Sequence, residues 1–402
     1  MPRSLQLHSI LLTVLTSSGA ILVLLHGLGI GGPLITGVLL AGSIAVLIVT
    51  GDRSRRLILT DVDMLFIGFL ACLGGSFLIN GWAATDKDGA LLAMSLAAYP
   101  AGRLMPRGGV GPAFIWISAA VTAVGGIFTA YALMHQWGPH LDRPSVFGYN
   151  HAAAVFLISL AFMLIALSSG GWLSAFRTKV LCALFCVPAF VFGFSLVRFG
   201  FVAIVAALAA VASTSGRDHR NRVYMIATVV VLAMTAGLMT RYNTSDISFG
   251  LPAMAASAAE ETADSADALV RCGVNANSSI ATRTVLWREA IALIPDAGWF
   301  GIGYTNFGNV TCFAGMNPHN SILQALVEFG WLGGAMFILL ILATLLYSRS
   351  AALAGDEGRF VFASLIYVFV LGLVHGNVGQ DYLLFLFMGY AGRVHQDSFW
   401  AV

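Results

Sequence analysis

Apolar runs of about 20 residues recur from one end of the chain to the other, separated by short polar stretches. Each is long enough to cross a bilayer as a helix, and none shows the alternation of a membrane barrel strand. Backbone in lipid must satisfy its own hydrogen bonds, so such runs predict helices. Twelve spans can be drawn, at about 9–26, 29–50, 62–80, 89–105, 110–134, 151–169, 179–196, 199–215, 223–240, 319–347, 359–376 and 380–396. The first follows Arg3 and has the look of a signal peptide. It runs past any small-residue cleavage site, so it reads as a retained span. The fold class is therefore all-α and polytopic, with residues 1–402 as one integral membrane domain. Its largest connection is 241–318, between the ninth and tenth spans.

Composition agrees with this pattern. Hydrophobic residues make up 58% of the chain and charged residues 10%, against roughly 25% charged in soluble domains. The formal net charge of +2 gives no reason to expect nucleic acid.

Charge placement gives an orientation. With the N-terminus in the cytoplasm, 14 of the 21 basic residues fall in inner loops. These are Arg3; Arg53, Arg55 and Arg56; Arg103 and Arg107; Arg177 and Lys179; Arg217, Arg220 and Arg222; Arg349 and Arg359; and Arg393. Every inner loop then obeys the positive-inside rule, and the inverted arrangement breaks it throughout. Both termini are expected in the cytoplasm and 241–318 outside. Seven basic residues remain outside: Lys87, Arg143, Arg198, Arg241, Arg271, Arg283 and Arg288. Topology disfavours them there, so they are candidates for function, with surface pairing or headgroup contact as the alternative.

The outer connection divides in two. Residues 251–270 are Ala-rich and acidic, with Glu260, Glu261, Asp264 and Asp267. From Ile280, Arg283, Leu286, Trp287 and Ala290 share one helical face. A guanidinium on that apolar face needs an anionic partner, either a carboxylate or a phosphate. Arg288 lies about 140° away on the same helix. Arg198 follows a very short outer turn and is expected to face a polar cavity or to snorkel. The Gly-rich segment Pro295 to Tyr304 is expected to be a turn, either a tight connection or a backbone approach to ligand. Cys272 and Cys312 both lie in the outer loop, where a disulfide is permitted.

Asn317-Pro318-His319-Asn320 opens the tenth apolar run. Asn317 suits an N-cap and Pro318 the first helical position, which puts His319 in the first turn. The helix dipole there disfavours imidazolium, so His319 is expected neutral and able to accept a proton. On one continuous helix Gly330 and Gly333 fall within about 40° of His319. A capping histidine without chemistry is the alternative. Asp61-Val62-Asp63 and Asp86-Lys87-Asp88 have a DxD form, but both read as cap or turn residues, so no metal site is expected.

His319-Asn320, nine residues, Gly330, two residues, Gly333 resembles the H-[NSQ]-x9-G-x-x-[GTY] pattern of bacterial O-antigen ligases and related O-linked oligosaccharyltransferases. Arg283 with Leu286-Trp287, the Gly-Ile-Gly-Tyr turn ending at Tyr304, Arg198, and the loop from Arg143 to Asn150 are similar to the same superfamily. One departure is Val197, where serine more commonly precedes the arginine. The resemblance covers about residues 140–335 and the twelve-span plan. It implies a GT-C-like transferase with a large periplasmic loop, at the outer face of the bacterial inner membrane. The implied donor is a glycan on undecaprenyl pyrophosphate, and the implied acceptor is a sugar hydroxyl of lipid A core. The implied reaction inverts the anomeric centre and needs neither cofactor nor metal. His319 would be the general base, and Arg143, Arg198, Arg283 and Arg288 would hold the pyrophosphate, supported by Asn150, Tyr304, Asn320, Gly330 and Gly333. An O-antigen polymerase or a protein O-oligosaccharyltransferase shares these features. A lipid-linked sugar transporter fits less well, since its ionisable residues belong near the bilayer midplane.

Overall fold

The computed structural model describes residues 3–51, 58–136, 144–244, 272–273 and 279–399. Among them every regular element is a helix. In chain order these are α1 (Arg3–Thr16), α2 (Ser18–Gly27), α3 (Pro33–Thr50), α4 (Asp61–Asn80), α5 (Asp86–Arg103), α6 (Pro112–His135), α7 (Ala152–Ser169) and α8 (Ala175–Phe194). There follow α9 (Arg198–Thr214), α10 (Arg217–Thr244), α11 (Ser279–Ala297), α12 (Phe307–Val310), α13 (Ser321–Glu328), α14 (Gly330–Ala354), α15 (Asp356–His375) and α16 (Tyr382–Phe399).

Eight of these helices are long and apolar enough to cross a membrane, or nine if α1 and α2 form one bent span. The protein is a multi-pass membrane protein. The expected twelve is not reached on length and composition, for local reasons. The first apolar run bends by 73° between Thr16 and Ser18. α9 has 17 residues, and α5 carries Asp86, Lys87, Asp88 and Arg103. Arg53, Arg55, Arg56, Arg143, Arg271 and the acidic stretch 251–270 lie outside the described residues.

Helix starts follow local chemistry. Pro33 and Pro112 occupy the first positions of α3 and α6, where a missing N–H costs nothing. Thr60 and Asp63 form a capping box at α4, and the Thr85 hydroxyl accepts from Asp88 N at α5. Small residues then let helices approach. Gly102 of α5 lies against Leu386 and Tyr390 of α16, and Gly389 lies against Tyr99 and Arg103. Gly193 and Gly237 do the same between α8 and α10. α7 runs through the centre of the bundle with nearly every residue buried.

Polar pairs close the end of the bundle where α5 finishes and α4 begins. Arg103 Nε donates to Asp63 Oδ1 at 2.8 Å and its Nη2 to Oδ2 at 2.8 Å, and Tyr99 donates to the same carboxylate. Asp397 of α16 pairs with Arg107 and Arg393. The Asp61/Asp63 pair is thus committed to a cap, an ion pair and a hydrogen bond from Tyr347. Groups of three or more side chains able to hold a metal are absent among the described residues.

Candidate active site

The opposite end of the bundle gathers His319, Arg283 and the turn at Gly301. α11 presents Arg283, Leu286 and Ala290 on its buried face, where the latter two pack with Phe307, Phe313 and Val327. Cys272 and Cys312 are joined by a disulfide, with Cα atoms 5.5 Å apart, beside this cluster. Glu289 accepts from the Thr311 hydroxyl and from Cys312 N, tying α11 to the segment after α12.

His319 does not lie in the first turn of a helix. α13 starts at Ser321, and Asn320, rather than Asn317, is its N-cap: Asn320 Oδ1 accepts from Ile322 N and Leu323 N at 3.0 Å each. Asn317 Oδ1 instead accepts from His319 N at 2.9 Å, a local Asx turn. His319 takes φ 51°, a left-handed conformation that costs a non-glycine residue energy. The histidine is thus held just ahead of the helix by caps on both sides. Burial and the nearby Arg283 charge lower its proton affinity below the ordinary imidazole value. The expected neutral state therefore rests on desolvation and a cation, with the helix N-terminus adjoining.

His319, Gly330 and Gly333 do not line one face of one helix. The run breaks between α13 and α14, where Gly330 takes φ 75°. The turn of Gly298 to Gly303 is threaded into this break. Ile302 N and Gly303 N donate to Val327 O and Glu328 O at 3.0 Å each, and Trp331 N donates to Gly298 O at 2.9 Å. Gly301 also has φ 75°, and a Cβ on either Gly301 or Gly330 would overlap the other segment's backbone. Gly333 sits further along α14, against Phe329.

Glu328, fully enclosed beside this break, accepts from Gln324 Nε2 at 2.8 Å and lies 3.4 Å from Phe307 N. Burial raises its carboxyl to about 7. Tyr304 is buried between Phe77, Phe329 and Gly379. Asp381, before α16, accepts from the Ser321 hydroxyl, and burial raises it to about 7 as well.

Arg283 meets a histidine and an aromatic face. Its Nη2 lies 3.1 Å from His375 Nδ1, and its guanidinium carbon stands 4.8 Å from the Phe199 ring centroid. Phe199 follows Arg198 at the start of α9, so that turn approaches Arg283 as well. Arg198 itself is exposed, and Val197 gives α9 no side-chain cap. Arg288 is exposed on the far side of α11. Asn150 is exposed in the turn before α7 and makes no hydrogen bond among the described residues. Two residues escaped the sequence reading. His375, at the end of an apolar run, is a misplaced polar residue of the same kind as the arginines. Asp381, at the mouth of the last run, carries no motif.

An imidazole of lowered proton affinity and a buried arginine gather at one end of the apolar helical bundle of a polytopic membrane protein. Residues 154–338 match the family model described as O-antigen ligase, which supports a place in the O-antigen ligase superfamily. The match runs from α7 into α14 and so takes in Arg198, Arg283 and His319. No curated protein matches the chain in sequence.

Proposed function

We propose that this protein transfers O-antigen polysaccharide from undecaprenyl pyrophosphate to a sugar hydroxyl of lipid A core. The reading places the site at the periplasmic face of the inner membrane, with both termini in the cytoplasm and 241–318 as the periplasmic loop of a GT-C-like transferase. The observation that carries it is that Arg283 and Asn320, the neighbour of His319, both bond to the last turn of α15, through His375 and Leu373 O.

The chemistry asks for two things. Pyrophosphate is a competent leaving group whose charge must be neutralised as the anomeric C–O bond breaks. Arg283 supplies a guanidinium for this, with Arg198 from the start of α9 and with Arg143 and Arg288 as further donors. The N-terminus of α9, which no side chain caps, favours an anion in the same place. The acceptor hydroxyl attacks the anomeric carbon and passes its proton to His319, which contributes about 10²–10⁴-fold. One direct displacement inverts the anomeric configuration. Metal need not enter, because arginines take the charge while Asp63 is held by Arg103 and Asp88 by Thr85.

Reconstitution with a purified polyprenyl-pyrophosphate glycan tests the reading, offering lipid A core, a free glycan and an acceptor protein separately. Modification of lipid A core alone supports the ligase. Glycan elongation would make the protein a polymerase, and a modified serine or threonine would make it a protein transferase.

A further inference from the structure

The last turn of α15 touches both halves of the candidate site. Leu373 O accepts from Asn320 Nδ2 at 3.0 Å, and Gly372 O accepts from Ser321 Oγ at 3.2 Å, which fixes the α13 side. His375 ends the helix and meets the α11 side, with Arg283 Nη2 at 3.1 Å from Nδ1 and 3.5 Å from Nε2. Phe199 closes a third side, edge-on to His375 with ring centroids 5.8 Å apart. Arg283 is buried while His375 is exposed. An outward-lying histidine therefore leans on an inward-lying arginine.

This cage has one chemical requirement. A guanidinium is always charged and only donates. The imidazole against it must be neutral, because a second cation at that separation would repel it. A neutral ring offers a lone pair or a π face, and either steadies the arginine without neutralising it. The histidine and phenylalanine so orient Arg283 without adding a charge of their own.

We propose that His375 is a positioning residue of the transfer reaction, which, with Phe199, holds the Arg283 guanidinium in the pose that meets the donor pyrophosphate beside His319. This rests on the donor-binding role proposed for Arg283. In it His375 touches neither donor nor acceptor. Loss of His375 therefore weakens donor use selectively, whereas a purely architectural role would damage donor use, acceptor use and folding together.

The test uses the purified full-length protein in lipid nanodiscs, an undecaprenyl-pyrophosphate glycan as donor and lipid A core as acceptor. His375→Leu is expected to raise the donor KM about tenfold, the scale of one charged hydrogen bond, with acceptor KM and melting temperature unmoved. His375→Gln, whose amide oxygen accepts, is expected to recover most of that loss. His375→Lys, which sets a cation beside Arg283, is expected to fare no better than leucine. A donor KM within about twofold of the parent in the leucine variant would overturn the inference, as would equal rises in both KM values. Should the leucine variant not fold, glutamine against lysine decides, and equal donor KM values for those two overturn it. Arg283→Ala is run alongside. If it leaves donor KM unchanged, the donor role of Arg283 fails and this inference with it; if only the His375 variants are silent, the inference alone fails.

Discussion

Gly301 and Gly330 face each other across the break between α13 and α14, each at φ 75° and each with no room for a Cβ against the other's backbone. The motif spacing follows from this contact. Ten residues separate His319 from Gly330 because one short helix, α13, fits between the histidine's turn and the break.

Alanine at either glycine is expected to destabilise the protein by about 3 kcal/mol, from the left-handed backbone and from overlap with main chain that cannot rotate away. Thermal unfolding of Gly330→Ala and Gly301→Ala in detergent measures this. The double variant should be no better than either single one, since the gap is shared. A melting temperature equal to that of the parent would show that the turn and the break are not coupled.

His319→Ala should retain binding of the polyprenyl-pyrophosphate donor and lose transfer by about 10²–10⁴-fold. The general base works unprotonated, so transfer falls as pH drops through the His319 pKa. That pKa is lowered by burial and by Arg283, so the acid limb of kcat should lie below the ordinary imidazole value. Arg283→Ala removes one lowering cause, and its acid limb should move to higher pH. A limb that stays put in Arg283→Ala would separate the two residues.

Asp381 accepts the Ser321 hydroxyl from across the loop before α16, and Ser321 is two residues from His319. Asp381→Leu leaves the Ser321 hydroxyl with Gly372 O as its acceptor and should cost about 0.5–1.5 kcal/mol, together with a drop in kcat. Asp381→Asn keeps an acceptor and should lose much less. Comparable kcat values for the leucine and parent proteins would dissociate this hydrogen bond from catalysis.

The Cys272–Cys312 disulfide closes a loop of 40 residues. Cys272→Ser or Cys312→Ser should cost about 2–4 kcal/mol in thermal unfolding. Labelling of free thiols under denaturing conditions should find only Cys72, Cys182 and Cys186 in the parent. Five reactive thiols there would refute the bond.

Hydropathy located most helices to within a few residues, as at α4, because burial in lipid leaves a long and uniform signature. It failed where the signature is continuous but the backbone is not. The run from His319 onward reads as one helix, since apolar periodicity does not register the sign of φ at Gly330. Glu328, a carboxylate inside an apolar run, and Gly330 two residues later were the available clues. The cap was misread for a related reason. Asn317 and Asn320 are chemically equal, and Pro318 favours Asn317 as the cap, whereas Asn317 is taken up by the Asx turn to His319 N. Charge counting singled out Arg283 and Arg198 but passed over His375, because a neutral imidazole carries no topological penalty. The separation of Arg288 from Arg283 was legible, since it follows from helical rotation alone.

The Asp63–Arg103 pair at the far end of the bundle has a bearing on how the chain is made. Both residues sit at the ends of their helices, within reach of water while unpaired. Their pair closes the hairpin once α4 and α5 have both entered the membrane. Arg103 is completed by Gln396 of α16. Until α16 emerges, that arginine waits for this contact, and the loop bearing Asp381 is not anchored on its far side. A ribosome stalled before residue 382 would leave a chain that holds every motif residue and has not yet assembled the place where they act.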